Sequence, residues 1–312
     1  MVPALVLTAG LATRLRPLSF VRAKAALPVA GVPLVERILR WLAASGVTEA
    51  VLNLHHLPHT LTRIVGDGSD LGVRVRYSWE NPVLGPAGGP RRAAPLLGDA
   101  FLIVNGDTLT NVDIGALVAD HRRSGALVTM AVVPNTQRDK YSGLSAASDG
   151  ALTGFAARGA PDNAFHFIGV QVVEAAAFAS VPDNVPYETS VLYRSLIASR
   201  PGSIRVFNTS AEFFDVGTPG DYLDTSLQLG EREGRPSVQA SRATIDPTAR
   251  VERSILWDDV VVEAGTMLRE CVVTDGVRVP ADTSWHGVSI RVADGQLAPG
   301  ERRIDDLAIA SL

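Results

Sequence analysis

From Ile255 onward an apolar residue returns at every sixth position. Ile255, Val261, Met267, Val273 and Val279 form the set, followed in turn by Leu256, Val262, Leu268, Thr274 and Pro280. Ile245 and Val251 are also six apart but stand offset from the later register. A helix repeats its buried face about every 3.6 residues and a half-buried strand every second residue, so neither explains this spacing. A solenoid whose flat faces each supply one inward side chain does explain it. The pattern predicts a hexapeptide β-helix over Ile245–Ser289, two or three coils long. An antiparallel hairpin stack is the alternative. Arg291–Leu312 follows as a tail with no readable period.

The first two-thirds has a different texture. Leu5–Thr8, Ala50–Leu54, Val73–Tyr77, Phe101–Asn105 and Leu127–Val133 read as strands. Pro33–Ala44 carries Leu34, Val35, Ile38, Leu39 and Leu42 at helical spacing before Gly46, and Asp113 is placed to cap a helix over Ile114–Arg123. Strand alternating with helix predicts βαβ units and a mainly parallel α/β sheet, whose ligands sit beyond the carboxyl ends of the strands. Gln228–Ser241 is polar with Gly and Pro and suits a linker. The expected division is therefore 1–232, 240–290 and a tail at 291–312.

Composition narrows the partners. The 29 Lys+Arg against 33 Asp+Glu give a net charge of −4, so no basic field exists for polymeric nucleic acid. Residues 46% hydrophobic and 20% charged exclude wholesale disorder. A single cysteine, Cys271, excludes an internal disulfide framework and fits a reducing compartment. The opening MVPALVLTAG is apolar too briefly for a signal peptide or a membrane span. The expectation is a cytoplasmic protein with no membrane partner.

Three segments carry candidate chemistry. Leu7–Pro33 passes from a strand into a loop with Ala9, Gly10, Ala12 and Thr13, then brings in Arg14, Arg16 and Lys24. Small residues let backbone N–H groups approach phosphate oxygens, which the cations neutralise. The segment has neither GxxxxGK[ST] nor a helix-opening GxGxxG, and a surface loop with solvated cations is the alternative. In VNGDTLTN, Asp107 directly follows an apolar run; in FFDVGTPGDY, Asp215 follows another. A magnesium ion takes only one or two protein carboxylates with waters and substrate phosphates, so two such aspartates suffice, though each could equally be a turn residue.

Together these segments resemble the sugar-1-phosphate nucleotidylyltransferases (NDP-sugar pyrophosphorylases), in particular the mannose-1-phosphate guanylyltransferase-like members. LTAGLATRLRPLSFVRAKAALPVAGVP is similar to the signature AGxGTRLxPLTxxxPKxLxPVxxxP. NGD at 105–107 and FDVGTP at 214–219 resemble the two metal motifs, and ENPVLGPAGG at 80–89 the segment that contacts the nucleoside. The resemblance implies a Rossmann-like nucleotidyltransferase sheet followed by a left-handed β-helix. It implies Arg14 on the β- and γ-phosphates, Lys24 near the α-phosphate, and Mg²⁺ on Asp107 and Asp215. It assigns Ala9, Gly10, Leu11, Thr13, Glu80, Gly85 and Gly106 to the nucleotide. Tyr141-Ser142-Gly143 and Phe167-Ile168-Gly169-Val170 resemble elements that line the sugar pocket, which would take in Gly143, Arg158, Gly169 and Glu188.

Three departures stand out. Ala12 replaces a signature glycine, Ala23 stands where proline usually precedes the lysine, and FAARG at 155–159 lies where the family has FxEKP. Ala157 thus removes a carboxylate that typically holds sugar hydroxyls.

The implied reaction is attack by a sugar-1-phosphate oxygen on the α-phosphorus of an NTP, releasing pyrophosphate. A phosphate monoester with a second pKa of about 6 is already dianionic at neutral pH, so no general base is demanded. The task is in-line positioning and charge stabilisation. The alternative from another class is a catalytically silent homologue that binds a nucleotide sugar and regulates a partner. An acyltransferase working from the β-helix is disfavoured because no histidine lies between Ile245 and Trp285. His55, His56 and His59 match no zinc spacing and read as a loop with Pro58 interrupting it. Glu188 also suits a helix N-terminus, while Cys271 and Trp41 read as packing residues. Base, sugar and oligomeric state, a homo-oligomer included, stay open.

Overall fold

Short runs of Ala, Leu, Val and Ile build a sheet whose central strands are apolar on both faces. The computed structural model describes residues 1–312 apart from Ser237, Ser241 and Gln296, so the two serines of the predicted linker lie outside the described residues. The chain divides into two units. One comprises Met1–Gly10, Val35–Pro58 and Val65–Phe214; the other comprises Leu11–Leu34, His59–Ile64 and Asp215–Leu312.

In the first unit, Ala4–Leu7 pairs in parallel with Glu49–Leu54 on one side and Ala100–Asn105 on the other, and Glu49–Leu54 pairs in parallel with Arg74–Trp79. These are four of the five predicted strands, each within two residues of the expected ends. The fifth, Val128–Pro134, joins through Phe165–Glu174, which is antiparallel both to it and to Ala100–Asn105. Ile204–Asn208 and the hairpin Gly143–Ala146/Leu152–Ala156 bring the sheet to nine strands. Leu5, Phe101, Ile103, Val173 and Phe178 are buried at its centre. The helices Leu34–Ala44 and Ile114–Ser124 match the sequence reading, and the Asp113 carboxylate accepts from the Ala116 N–H at 2.9 Å. Pro58 does not interrupt a helix. It opens one, Pro58–Val65, whose residues His59–Ile64 belong to the second unit, and the missing proline N–H costs nothing there. No helix among the described residues is long and apolar enough to cross a membrane.

In the second unit the β-helix is present, but its period differs from the one expected. Parallel pairing joins Ile255 to Val272, Val261 to Arg278 and Met267 to Ser284, a coil of 17 residues. Two faces take six residues and one takes five. The inward positions are therefore Leu256, Val262 and Leu268, then Val273, Val279 and Ile290. Leu268 is 1% exposed whereas Met267 is 50% exposed, so the uninterrupted period of six slips by one after Leu268. The same short face explains the offset of Ile245 and Val251, which pack against this core. The Cys271 thiol is buried and points its Sγ at the Arg269 carbonyl. The unpatterned tail forms a hairpin: Leu307–Ser311 runs antiparallel to Val288–Val292, and Arg302–Ile304 to Leu307–Ser311.

The loop Leu11–Leu34 belongs to this unit. It folds as three short 3₁₀ turns, Thr13–Leu15, Leu18–Phe20 and Lys24–Ala26. Ala12 takes φ +48°, the left-handed region that a glycine adopts freely and an alanine does not. Ala23, in the place of a proline, keeps a proline-like φ of −56° but regains an N–H, which donates to Thr60 Oγ1 at 3.1 Å. Arg22 donates through Nε and Nη2 to Asp275 and through Nη2 to Asp258 Oδ2 at 2.8 Å, and its guanidinium lies 5.1 Å from the Trp257 ring centre. Burial alone would lower the Arg22 pKa, but the hydrogen bonds and charge of Asp275, with Asp258 behind them, raise it. Trp257 Nε1 donates to the Tyr222 hydroxyl, which donates in turn to the Pro28 carbonyl at 2.6 Å. Burial pushes the Tyr222 hydroxyl above its ordinary pKa, so it stays a donor. Phe20 lies 5.2 Å from Arg16 and from Arg291, whose guanidinium is held by the buried Glu301.

Two stability outcomes follow from this register and this backbone. Leu268→Ala should destabilise by about 2–5 kcal/mol in urea unfolding, while Met267→Ala should stay within about 0.5 kcal/mol; reversed magnitudes would restore the uninterrupted period. Ala12→Gly relieves the left-handed strain at some entropic cost and should stabilise by about 0.5–1 kcal/mol in the same assay.

Candidate active site

In the first unit, the carboxyl ends of the central strands are knitted by a buried polar relay. Asn53 closes an otherwise apolar strand run, and its Oδ1 accepts from the N–H of Thr8 at 2.6 Å and of Ala9 at 3.3 Å. Its Nδ2 donates to Glu80 Oε1 at 2.7 Å, and Glu80 Oε2 accepts from the Leu84 N–H at 2.7 Å. Glu80 is only 3% exposed. It therefore ties the strand end at Thr8–Ala9 to the turn that begins the helix Gly85–Ala93, rather than presenting its carboxylate outward. Sequence reasoning did not single out Asn53. The signal was available, since a lone amide in a buried strand must be hydrogen-bonded.

Gly106 and Gly85 are where a side chain would not fit. A Cβ on Gly106 would lie 2.5 Å from the Leu7 carbonyl oxygen, to which its own N–H donates. Gly85 has φ +73°, and its Cβ would come within 3.0 Å of the Tyr187 carbonyl and 3.7 Å of Glu188 Oε1. Gly85 and Glu188 are thus neighbours, although the sequence separates them by a hundred residues. Glu188 flanks the helix Thr189–Ser199 without a side-chain capping bond.

Beside them opens a cavity of about 350 Å³. It is lined by Met130, Leu144, Phe155 and Phe167 with Leu7 and Pro86, and by the polar groups of Asn105, Ser142, His166, Gln171, Thr189 and Tyr193. Gly143 lies in its wall, and Gly169, at φ +79°, sits where the pairing of Phe165–Glu174 shifts register. No carboxylate, lysine or arginine occurs among its described lining residues. Burial lowers the pKa of His166, and its ring packs between Tyr141 and Phe213. Asn163, fully buried, donates to the carbonyls of Tyr141 at 2.8 Å and Ala157 at 3.3 Å, pinning the FAARG loop. Arg158 on that loop is exposed.

Asp107 directly precedes the strand Thr108–Thr110, which pairs with Phe213–Asp215. The pairing is pinned where Thr110 Oγ1 donates to the Glu212 carbonyl and the Glu212 N–H donates to Asn111. The Thr108 hydroxyl donates to Asp107 at 3.2 Å.

In the second unit, Gly217 leaves a cradle. A Cβ there would lie 3.1 Å from Asp221 Oδ2, 3.5 Å from Asp215 Oδ2 and 3.6 Å from Arg14 Nη1. Two carboxylates and a guanidinium thus surround one missing methyl group. The cradle lies at the start of the helix Pro219–Arg232, where Thr218 accepts from the Asp221 N–H and donates to its carboxylate at 2.9 Å. Hard carboxylate oxygens beside an opening of this kind fit a magnesium ion and the phosphates it would accompany. Leu11 and Thr13, on the same loop as Arg14, are exposed, and Lys24 is half-buried in the third 3₁₀ turn.

The family profile described as Nucleotidyl transferase matches residues 3–232, and that described as GlmU-like, C-terminal hexapeptide matches 231–288. A mannose-1-phosphate guanylyltransferase of Mycobacterium tuberculosis is 28% identical over 296 residues, covering 90% of this chain and 82% of that protein. An N-acetylmuramate alpha-1-phosphate uridylyltransferase of Neisseria meningitidis is 45% identical over 116 residues, covering 36% of this chain and 50% of that protein. The crystal structure of HddC from Yersinia pseudotuberculosis complexed with GMP-PN superposes with a TM-score of 0.64 at 21% identity, over 73% of this chain and all of that one, a likeness of fold. With most of its length matched in this way, the chain belongs to the Nucleotidyl transferase family, and it carries a hexapeptide-repeat domain at its C-terminal end.

Proposed function

We propose that this chain joins an NTP to a sugar 1-phosphate, forming an NDP-sugar and pyrophosphate, with Mg²⁺ as its cofactor. The observation that carries the reading is the cradle at Gly217, where Arg14 meets Asp215 on an opening suited to a metal-bound polyphosphate. Asp215 and Asp107 would hold the metal. When bound, Mg²⁺ supplies charge neutralisation on the triphosphate and a template for its oxygens. Arg14 binds the β- and γ-phosphates through its planar fork, and Lys24 stabilises charge at the α-phosphate. An oxygen of the sugar phosphate bonds to the α-phosphorus as the bond to pyrophosphate breaks, and the electron pair leaves with pyrophosphate. No side chain needs to remove a proton.

Ala9, Gly10, Leu11, Thr13, Gly85 and Gly106 shape the nucleotide site, with Glu80 acting through Asn53 and Leu84. The cavity with Gly143 in its wall takes the sugar, and Gly169, Glu188 and Arg158 are assigned to the same sugar site. Its aromatic and aliphatic wall, together with Ala157 in place of a carboxylate, supports a hexose 1-phosphate bearing an acyl group over a bare hexose. The uridylyl relative that acts on N-acetylmuramate 1-phosphate supports the same class. Residues 1–232 would form the catalytic domain and 240–290 the β-helix, ahead of the 291–312 segment, in a cytoplasmic protein. The silent regulatory alternative has no observation in its favour.

Pyrophosphate release from each of the four NTPs, with Mg²⁺ and a panel of bare and N-acetylated hexose 1-phosphates, tests the reading. Turnover is expected with GTP or UTP and an N-acetylated partner, and its absence with every pair would overturn it. Asp107→Asn and Lys24→Ala should each lower kcat at least about 100-fold; wild-type rates in both would refute the assigned roles. Removing Mg²⁺ with a chelator should stop turnover, and adding it back should restore it.

A further inference from the structure

Lys24 sits in a segment that is anchored on both sides. It lies in a three-residue 3₁₀ turn, a structure too short to be rigid alone. The fixed points lie on either side. Two residues before it, Arg22 is gripped by two β-helix aspartates on successive coils, Asp258 and Asp275, and lies over Trp257. The Asp258 N–H also donates to Asp275 Oδ1 at 3.1 Å, so the two coils present their carboxylates as one group. Four residues after Lys24, the Pro28 carbonyl is held by Tyr222, which Trp257 orients in turn. Between these points the Ala23 N–H is taken by Thr60. Both ends of the segment 22–28 thus trace to Trp257 and its neighbours in the β-helix.

We propose that Arg22 is a positioning residue for the nucleotidyl-transfer reaction: the β-helix, through Asp258, Asp275 and Trp257, sets the placement of Lys24 on the triphosphate. The hexapeptide coils are then a working part of the nucleotide site and not an appendage to it. Arg22 touches no substrate; its effect passes through Lys24. The inference rests on the role given to Lys24.

The test is a double-mutant cycle on NTP affinity. Kd for an NTP with Mg²⁺ is measured by calorimetry on the full chain as wild type, Arg22→Ala, Lys24→Ala and the double variant. Asp275→Asn serves as a second probe, since it removes the charge while keeping the side-chain shape. Arg22→Ala and Asp275→Asn should each weaken binding about tenfold where Lys24 is present, as for one lost charge-assisted contact. Each should have less than about a twofold effect where Lys24 is already alanine. Arg22→Lys, which keeps the charge but loses the fork, should recover part of the affinity. Equal losses in both backgrounds would mark Arg22 as merely structural and overturn the proposal. So would a loss with Lys24→Ala but none with Arg22→Ala or Asp275→Asn. If Lys24→Ala itself left Kd and kcat unchanged, the role of Lys24 would fall and the proposal with it.

Discussion

A guanidinium cannot shed its charge within any physiological pH range, so an arginine drawn away from water must bring its counterions with it. The second unit is organised around that requirement. Arg22 meets two aspartates and a tryptophan face, and Arg291, 2% exposed, meets the fully buried Glu301. Removing one partner from the buried Arg291–Glu301 pair would cost about 3–5 kcal/mol, because the other charge stays behind. Loop, coils and C-terminal hairpin are therefore energetically one object. The first unit answers the same constraint with a carboxylate. Glu80 is tolerated because Asn53 and the Leu84 N–H satisfy both its oxygens, and that satisfaction fixes the Thr8–Ala9 strand end to the turn at Leu84.

The central strands and two long helices were legible because their burial is local and periodic. The strand Phe165–Glu174, which joins the parallel and antiparallel parts of the sheet, was legible only by resemblance. It carries Gly169 at positive φ and a register shift in mid-run, so no simple alternation marks it. The β-helix was legible as an architecture but not in its exact step. One five-residue face moves the inward position from the second residue of each pair, as in Leu256, Val262 and Leu268, to the first, as in Val273 and Val279, so a strict count in sixes lands on exposed Met267. At the site, Arg14 and Asp215 were visible as motif residues. Asn53, Arg22 and Trp257 were not, because their importance lies in partners 27 to 253 positions away in the chain.

The departures from the family signature have physical compensations. Ala12 accepts left-handed strain, and its carbonyl is engaged by the Leu15 N–H and the Ser19 hydroxyl. Ala23 gains a donor that proline lacks, and Thr60 takes it. The Ala157 carbonyl, on a loop short of its usual carboxylate, is held by a buried asparagine. The loops are thus fixed by means other than the residues that the signature would supply.

The hairpin at the end of the chain has a consequence beyond covering the last coil. A stack of parallel coils ends in a row of unsatisfied backbone groups onto which another copy could add, rung upon rung. Here Leu307–Ser311 turns back antiparallel, and the outermost strand, Arg302–Ile304, carries two exposed arginines. Like charges and reversed polarity along that edge disfavour further parallel pairing on this one face of the solenoid.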